Sequence, residues 1–198
     1  MSLRPDYFQR MYRADADPWG FRTRWYEQRK YALTLASLPR PRYGAAFEPG
    51  CSIGVLTAQL ADRCDHLLAM DPVPGALEAA RQTTGFGVET RIGAIPADWP
   101  TGSFDLIVLS EVGYYLEPRE LPALATRIVG SLRPGGDLVA VHWRPNVADY
   151  PSTGDQVHAA LADRPELARL VRHRESDFVL EVFRNGDATS VAQGEGLR

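Results

Sequence analysis

The sequence is poor in several features that mark particular classes of protein. Lysine occurs once, as Lys30, among 22 basic residues, and the formal net charge is -3. We attribute the excess of arginine to genome composition and derive no function from it. A protein that binds nucleic acid usually carries a basic face, so nucleic acid is not expected as a partner.

Cysteine and long apolar runs are scarce as well. The two cysteines, Cys51 and Cys64, have no partners at metal-ligand spacing, so neither a disulfide framework nor a metal site is expected. No segment approaches the roughly 18 apolar residues of a membrane-spanning helix. The N-terminal residues lack the apolar core of a signal peptide. We therefore expect a cytoplasmic protein that does not bind membranes.

The composition that remains is that of a folded enzyme-sized domain. A chain of 198 residues with 44% hydrophobic content fits one domain with a sizeable core. We predict a helical N-terminal lid over residues 1–40, an α/β core over residues 41–184, and a polar, frayed tail over residues 185–198.

Strand and helix patterns alternate through the middle of the chain. The predicted strands cover residues 45–48, 66–71, 88–92, 104–110 and 137–143. The predicted helices cover residues 5–16, 23–38, 55–63, 75–82, 121–132, 155–161 and 165–170. Residues 171–174 and 178–183 predict a terminal antiparallel hairpin. Strands separated by helices of this length predict a Rossmann-like, doubly wound, mostly parallel sheet.

A glycine turn follows the first strand, from Glu48 to Gly54, and three chemistries could use it. Its pattern is G-x-S-x-G, so it lacks the G-x-G-x-x-G spacing of a dinucleotide site. The same letters match the nucleophile elbow of a serine hydrolase, with Ser52 as nucleophile and His142 as a late base. No earlier strand or HGGG-like segment supplies an oxyanion hole, which weakens that hypothesis.

The third chemistry is binding of S-adenosylmethionine. It needs an acid at the end of the first strand, a glycine turn, and a second acid at the end of the second strand. Glu48 and Asp71 hold these two positions, and the Asp71 carboxylate is placed to bind the two hydroxyls of a ribose. The combination favours S-adenosylmethionine over the other two ligands. The predicted cofactor-binding residues in this region are Glu48, Gly50, Cys51, Ser52, Gly54, Asp71 and Pro72.

Other strand ends should complete the cofactor site. Ala94 and Ile95 follow the third strand and could contact an adenine ring, with Asp98 and Trp99 as the alternative. Ser110 ends the fourth strand, beside the expected methyl group. A lid that excludes water would explain the aromatic and cationic residues near the N-terminus. There we predict cofactor contacts for Trp19, Tyr26 and Arg29, with Arg29 pairing with the cofactor carboxylate.

Three residues are candidates for the chemistry itself. Glu111 and Tyr114 follow the fourth strand, and His142 ends the fifth on the same edge of the sheet. Glu111 or His142 could hold or remove the proton of an amine, a role generally worth about 10²–10⁴-fold in rate. Tyr114 could orient the acceptor.

Several segments together resemble the nodulation NodS-type methyltransferases. They are residues 17–19 (DPW), 25–31 (WYEQRKY), 48–54 (EPGCSIG), 110–116 (SEVGYYL) and 142–144 (HWR). The resemblance covers roughly residues 5–185. It implies a seven-stranded sheet whose last strand is antiparallel, which agrees with the predicted terminal hairpin.

The resemblance also implies an activity. The named member of that family methylates the free amine of a de-N-acetylated chitooligosaccharide, so we expect N-methylation of an amino sugar or another small amine. O-methylation of a small natural product stays open as an alternative, as does a non-catalytic S-adenosylmethionine-binding protein. Fold alone does not fix the acceptor, and the sequence does not indicate an oligomeric state.

Overall fold

The structure is a computed structural model that describes residues 2–85 and 87–198. The strands are β1 (Tyr43–Pro49), β2 (Cys64–Asp71), β3 (Val88–Ile92), β4 (Phe104–Ser110), β5 (Leu132–Trp143), β6 (Leu167–Arg174) and β7 (Phe178–Asn185). The helices are α1 (Pro5–Ala14), α2 (Trp25–Ser37), α3 (Val55–Ala61), α4 (Pro74–Thr84), α5 (Leu121–Ser131), α6 (Gly154–Ala162) and α7 (Val191–Gly194). Two short 3₁₀ turns, Gly113–Tyr115 and Pro118–Glu120, precede α5.

The seven strands form one sheet in the order β3-β2-β1-β4-β5-β7-β6. The strands β1 to β5 pair in parallel, and β7 runs antiparallel to both β5 and β6. This arrangement confirms the predicted Rossmann-like sheet with an antiparallel last strand. The chain order reverses between β1 and β4, and α/β proteins bind ligands at such a switch point.

The central strand β4 shows why the core forms where it does. Successive side chains of a strand point to opposite faces, so both faces of β4 must be covered. Ile107 and Leu109 pack with residues of α5, and Leu106 and Val108 pack with residues of α3. All four are fully buried. The carboxyl end of β4 is therefore held rigidly, and the loop that follows it starts from a fixed point.

The structure departs from the predicted elements in three places. β5 begins at Leu132, five residues before the predicted strand. The helix predicted over residues 165–170 is wrong, because β6 begins at Leu167, which pairs with Asn185 of β7. Pairing with a buried neighbouring strand decides the conformation there, whatever the local preference. In the tail that was predicted to be frayed, Ser190 caps the single turn of α7.

The described residues contain no helix that is both long enough and apolar enough to cross a membrane.

Candidate active site

A cavity of about 540 Å³ lies between the carboxyl ends of the strands and the N-terminal segment. Its floor is formed by residues that follow β1, β2 and β4, and its roof by residues of α1, α2 and the segment between them. This volume is in the range of sites that hold a small molecule. The sequence-predicted residues that line it are Trp19, Tyr26, Gly50, Ser52, Asp71, Pro72, Ser110, Glu111 and Tyr114.

The glycine turn shapes one wall of this cavity. Gly50 has a φ of +74°, and a Cβ at this position would lie 2.4 Å from Cγ2 of Val112. Gly54 has a φ of +80°, and a Cβ there would lie 2.9 Å from Cα of Ala80 on α4. Both positions therefore require glycine. Gly50 leaves main chain open to a ligand, whereas Gly54 lets α3 and α4 pack closely.

Two predicted cofactor contacts beside the turn point away from the cavity. Cys51 is buried against Ala69, Leu77 and Ala80, and its amide donates to the carbonyl of Met70 over 3.0 Å. Glu48 is 3% exposed, and burial raises the pKa of its carboxyl to about 7. Neither side chain lines the cavity, so their predicted direct contact with the cofactor is not supported by their positions, nor is that of Gly54.

Asp71 lies at the end of β2 and faces the cavity. One carboxylate oxygen accepts the amide of Ser52 over 2.9 Å, and the other accepts the amide of Val73 over 2.9 Å. Burial raises the pKa of this carboxyl to about 6, although both amide bonds act to lower it. Each oxygen retains one lone pair for a further donor. The geometry fits a pair of neighbouring hydroxyls, such as those of a ribose.

Ser52 is not arranged as a hydrolase nucleophile. Its φ is +52°, and its hydroxyl is hydrogen-bonded to the hydroxyl of Tyr12 on α1. Both ring nitrogens of His142 are engaged elsewhere, with the amide of Gly113 and with His158. Ser52 therefore has no histidine base, and the serine hydrolase hypothesis fails on geometry.

The adenine-side residues line a second, smaller cavity of about 60 Å³. Ala94 and Ile95 lie there with Gly93 and Met70, and this cavity shares Gly50 and several other lining residues with the larger one. Asp98 and Trp99, the alternative adenine contacts, have other partners. Asp98 accepts the amide of Ala94 over 2.9 Å, and the indole of Trp99 donates to Ser131 over 2.7 Å and packs into the core.

Arg29 is a correction to the predicted cofactor site. Its guanidinium forms a bidentate ion pair with Glu175 in the turn between β6 and β7, at 2.9 and 2.6 Å. It does not line the cavity. The spacing of α2 places Arg29 on the side that faces this turn, whereas Arg24, just before the helix, lines the cavity. Among the described residues, the side chain of Arg24 forms no hydrogen bond or ion pair.

The lone lysine is the charged centre of the cavity, and it is not among the residues predicted for the site. Lys30 is 2% exposed, and its Nζ lies 2.7 Å from Glu111 and 3.0 Å from Glu27. Burial alone would lower the pKa of Lys30, but the two carboxylates outweigh it and raise this pKa above its ordinary value. The only signal in the sequence was the rarity of lysine itself.

Glu111 is held by donors on several sides. It has a φ of +57° and accepts Lys30, the hydroxyl of Tyr114, and the amide of Trp143 over 3.1 Å. These three donors occupy most of the hydrogen-bonding capacity of the carboxylate. Burial and the nearby Glu111 raise the pKa of Tyr114, which stays protonated and donates.

His142 is fully buried and does not reach the cavity. Burial, with His158 and Lys30 nearby, holds the pKa of His142 well below its usual range. The position of His142 therefore does not support the prediction that it contacts the acceptor or removes its proton. Strand β5 ends where predicted, but the side chain of His142 points into the layer beneath the cavity, toward α6.

The residues beside the catalytic candidates are mainly aromatic. The rings of Tyr114 and Tyr150 stack with centroids 4.9 Å apart, and Tyr115 packs edge-on to both. Trp143 lines the same end of the cavity with Tyr26, at 5.7 Å between centroids. Asp177, in the β6–β7 turn, adds a carboxylate that forms no side-chain hydrogen bond or ion pair among the described residues. Asp177 and Tyr150 lie away from the predicted strand ends, so the sequence pattern did not single them out.

The family model of "Nodulation protein S (NodS)" matches residues 5–163. The chain belongs to the NodS family. The match covers the glycine turn, Asp71, Lys30 and Glu111, and it ends before β6 and β7.

Relatives and solved structures agree with this assignment. The chain is 36% identical over 129 residues to Nodulation protein S of Bradyrhizobium diazoefficiens, covering 62% of this chain and 61% of that protein. It is 36% identical over 134 residues to the Sinorhizobium fredii protein, covering 64% and 60%. It thus spans less than two thirds of the length of these curated relatives.

Two solved structures cover more of the chain. A putative methyltransferase from Pseudomonas syringae is 45% identical, with a TM-score of 0.72, and the match covers 81% of this chain and 99% of that one. The N-methyltransferase NodS from Bradyrhizobium japonicum WM9, solved with S-adenosyl-L-homocysteine, is 28% identical, with a TM-score of 0.83 and coverage of 92% and 98%.

Proposed function

We propose that the chain is an S-adenosylmethionine-dependent methyltransferase that N-methylates a small amine of the amino-sugar type. The observation that carries the proposal is Asp71, whose two oxygens each keep a free lone pair toward a cavity that also exposes the main chain of Gly50. Membership of the NodS family supports it, because a member of similar fold was solved with S-adenosyl-L-homocysteine.

The remaining cavity wall suits the other parts of the cofactor. The apolar strip of Ala94 and Ile95 adjoins the Asp71 site and would take the adenine ring. Arg24 is the cation we assign to the methionine carboxylate, in place of Arg29, because its guanidinium lines the cavity and has no other partner among the described residues. The aromatic side chains of Tyr12 and Trp19 close this end.

The acceptor end of the cavity combines aromatic faces with negative charge. Tyr114, Tyr150 and Trp143 offer flat surfaces of the kind that pack on sugar rings and attract cations. Glu111 is already paired with Lys30, so Asp177 is the carboxylate available to an ammonium group. This combination favours an amine over a neutral hydroxyl as acceptor.

The chemistry asks little of the protein beyond alignment. The bound donor would supply an activated methyl group; the methyl passes to the amine nitrogen, and the electrons of the broken bond stay on sulfur. Holding donor and acceptor in line can be worth roughly 7–11 kcal/mol. Tyr114 and Lys30 orient the acceptor, and Asp177 takes the proton that the amine must lose.

Calorimetry with S-adenosyl-L-homocysteine tests the cofactor. We expect binding to the wild type and only weak residual binding to Asp71→Ala. The matched control is Asp65→Ala on the same strand, where an exposed ion pair with Arg42 is removed far from the cavity. No binding by the wild type, or equal binding by both variants, refutes the proposal.

A methyl-transfer assay then tests the acceptor. We expect methylation of a glucosamine disaccharide with free amines and none of its N-acetylated form, which lacks the nucleophilic nitrogen. Transfer to both forms would indicate a hydroxyl acceptor and refute N-methylation. Cofactor binding without transfer to any amine or hydroxyl would leave a non-catalytic binding protein.

A further inference from the structure

The loop after β4 is attached to three consecutive residues of β5. The amide of Glu111 donates to the carbonyl of Val141 over 2.8 Å, and the amide of Trp143 donates to the Glu111 carboxylate over 3.1 Å. Between these two, the amide of Gly113 donates to Nε2 of His142 over 3.1 Å. The first bond joins two backbone groups, and the second joins a backbone amide to the side chain of Glu111. The third depends on the side chain of His142.

The surroundings of Gly113 leave no room for a bulkier acceptor in place of the His142 side chain. Gly113 is buried, and a Cβ there would lie 2.6 Å from Val157 and 3.0 Å from Nε2 of His142. The space admits neither a larger residue nor a bulkier acceptor. A buried amide that loses its acceptor is unfavourable, so loss of the His142 acceptor would displace the loop. That loop carries Glu111 and Tyr114 into the cavity.

Only one tautomer of His142 can accept this bond. A backbone N–H always donates, so Nε2 carries no proton and Nδ1 must carry it. Nδ1 lies 3.1 Å from Nε2 of His158, which must therefore accept. His158 then carries its own proton on Nδ1, 2.7 Å from Glu181 on β7. Both rings are neutral in this pattern, and burial, which lowers the pKa of His142, acts in the same direction.

The outer end of this chain is fixed by charge. Glu181 is 3% exposed, and its other oxygen lies 3.1 Å from Arg169 and 3.4 Å from Arg172, both on β6. These arginines keep Glu181 an anion, which can only accept the proton of His158. Glu181 accepts at one end of the chain of hydrogen bonds and the Gly113 amide donates at the other, and only one set of bond directions satisfies both ends.

We propose that His142 is a positioning residue that holds the Glu111–Tyr114 loop through the Gly113 amide, and that His158 and Glu181 select the tautomer that allows it. None of the three touches the cavity. Residues 164–185, which supply Glu181 and the arginines, lie beyond the segment matched by the family model.

Nitrogen-15 NMR of the imidazole rings tests the tautomers directly and without any assumption about activity. The chain has four histidines, and His66→Gln and His173→Gln variants assign the two outside the chain of hydrogen bonds. At pH 7 we expect His142 and His158 to carry a proton on Nδ1 and none on Nε2. A proton on Nε2 of His142, or a doubly protonated ring at either position, overturns the proposal.

Kinetics test the consequence for the loop; this part rests on the proposed function. In His142→Gln the side-chain oxygen can still accept from Gly113, whereas in His142→Leu nothing can. We expect His142→Leu to lower kcat for methyl transfer to the glucosamine disaccharide by about 10²-fold, because a displacement near 1 Å can reduce a rate by that factor. We expect His142→Gln to retain most of the wild-type kcat. Affinity for S-adenosyl-L-homocysteine should stay unchanged in both, because Asp71 ends β2 and Gly50 follows β1.

The control is His66→Leu, an exposed histidine at the start of β2, which should leave kcat unchanged. Equal activity of the Leu and wild-type proteins overturns the proposal, and so does a loss of cofactor affinity in place of kcat. If His142→Leu does not fold, the NMR result on the wild type still decides. If neither the wild type nor any variant binds S-adenosyl-L-homocysteine, the proposed function fails. The tautomer assignment still stands in that case, because the NMR result does not depend on it.

Discussion

Nζ of Lys30 lies 2.7 Å from Oε1 of Glu111, and this contact joins the helix that precedes the sheet to the loop that follows its central strand. Glu27, three residues before Lys30 on the same helix, completes the cluster at 3.0 Å. The three groups are nearly buried, so Lys30 attracts both carboxylates with little screening by solvent. The carboxyl ends of the strands are thereby tied to their N-terminal cover.

We expect Lys30→Met to destabilise the protein strongly. The substitution keeps the length of the side chain but leaves two carboxylates buried without a counter-ion, a change that generally costs about 3–5 kcal/mol. Urea unfolding at pH 7.5 measures it. Arg91→Met, which removes an exposed pair with Glu89, is the control and should cost less than about 1 kcal/mol. Equal losses in the two variants would mean that the buried cluster contributes nothing special.

Glu48→Gln should stabilise the protein at high pH. Burial raises the pKa of Glu48 from 4.5 to about 7, so between these values the folded state binds a proton that the unfolded state has released. The wild type therefore loses stability as pH rises through this window, by up to about 3 kcal/mol. The variant lacks this loss. We expect its advantage in unfolding free energy to be absent at pH 4.5 and full at pH 8; an advantage that is the same at both would contradict the assignment.

Cofactor affinity should fall in acid because of Asp71. Its pKa is raised to about 6, and a protonated carboxyl loses one of the two acceptors offered to a diol. Above pH 7 we expect a constant Kd for S-adenosyl-L-homocysteine, and below pH 6 a rise approaching tenfold per pH unit. Calorimetry in the Glu48→Gln background removes the second titrating carboxyl. The weak residual binding of Asp71→Ala should not vary with pH, and a parallel slope would point to another group.

Asp177→Asn should impair the acceptor and spare the cofactor. The substitution preserves shape and removes the charge that we assign to the ammonium group. We expect a higher KM for the glucosamine disaccharide and an unchanged Kd for S-adenosyl-L-homocysteine. Asp187→Asn, an exposed position in the tail, is the matched control. An unchanged KM in Asp177→Asn would remove this residue from the acceptor site.

Much of the fold could be predicted because hydrophobic pattern and turn residues agree with it. β3 and β4 begin and end where predicted, since each is a continuous pattern bounded by glycine, proline or polar residues. The first half of β6, residues 167–170, was predicted as helix because only Leu167 of the eight residues of β6 is buried, so the conformation of this strand depends on β7 and not on its own pattern.

The site was predictable only as far as the strand ends. Gly50, Asp71 and Glu111 follow strands whose carboxyl ends meet in any doubly wound sheet, so their proximity follows from topology. The direction of a side chain is not given by that rule. His142 and Arg29 hold the expected backbone positions, yet one points beneath the cavity and the other toward Glu175. Lys30 and Asp177 come from opposite ends of the chain, and only tertiary packing brings them to one cavity.

The strand β7 enters the sheet between β5 and β6, although it is the last of the three to be synthesised. During synthesis, the edge of β5 that pairs with β7 therefore stays unpaired until residues 178–185 have left the ribosome. Glu181, the outer acceptor of the hydrogen bonds that end at Gly113, is among these residues. A nascent chain that stops at α6 already has the glycine turn, Asp71 and His142, but it lacks the Glu181 carboxylate that accepts the proton of His158. Cofactor and acceptor sites thus mature at different moments of synthesis.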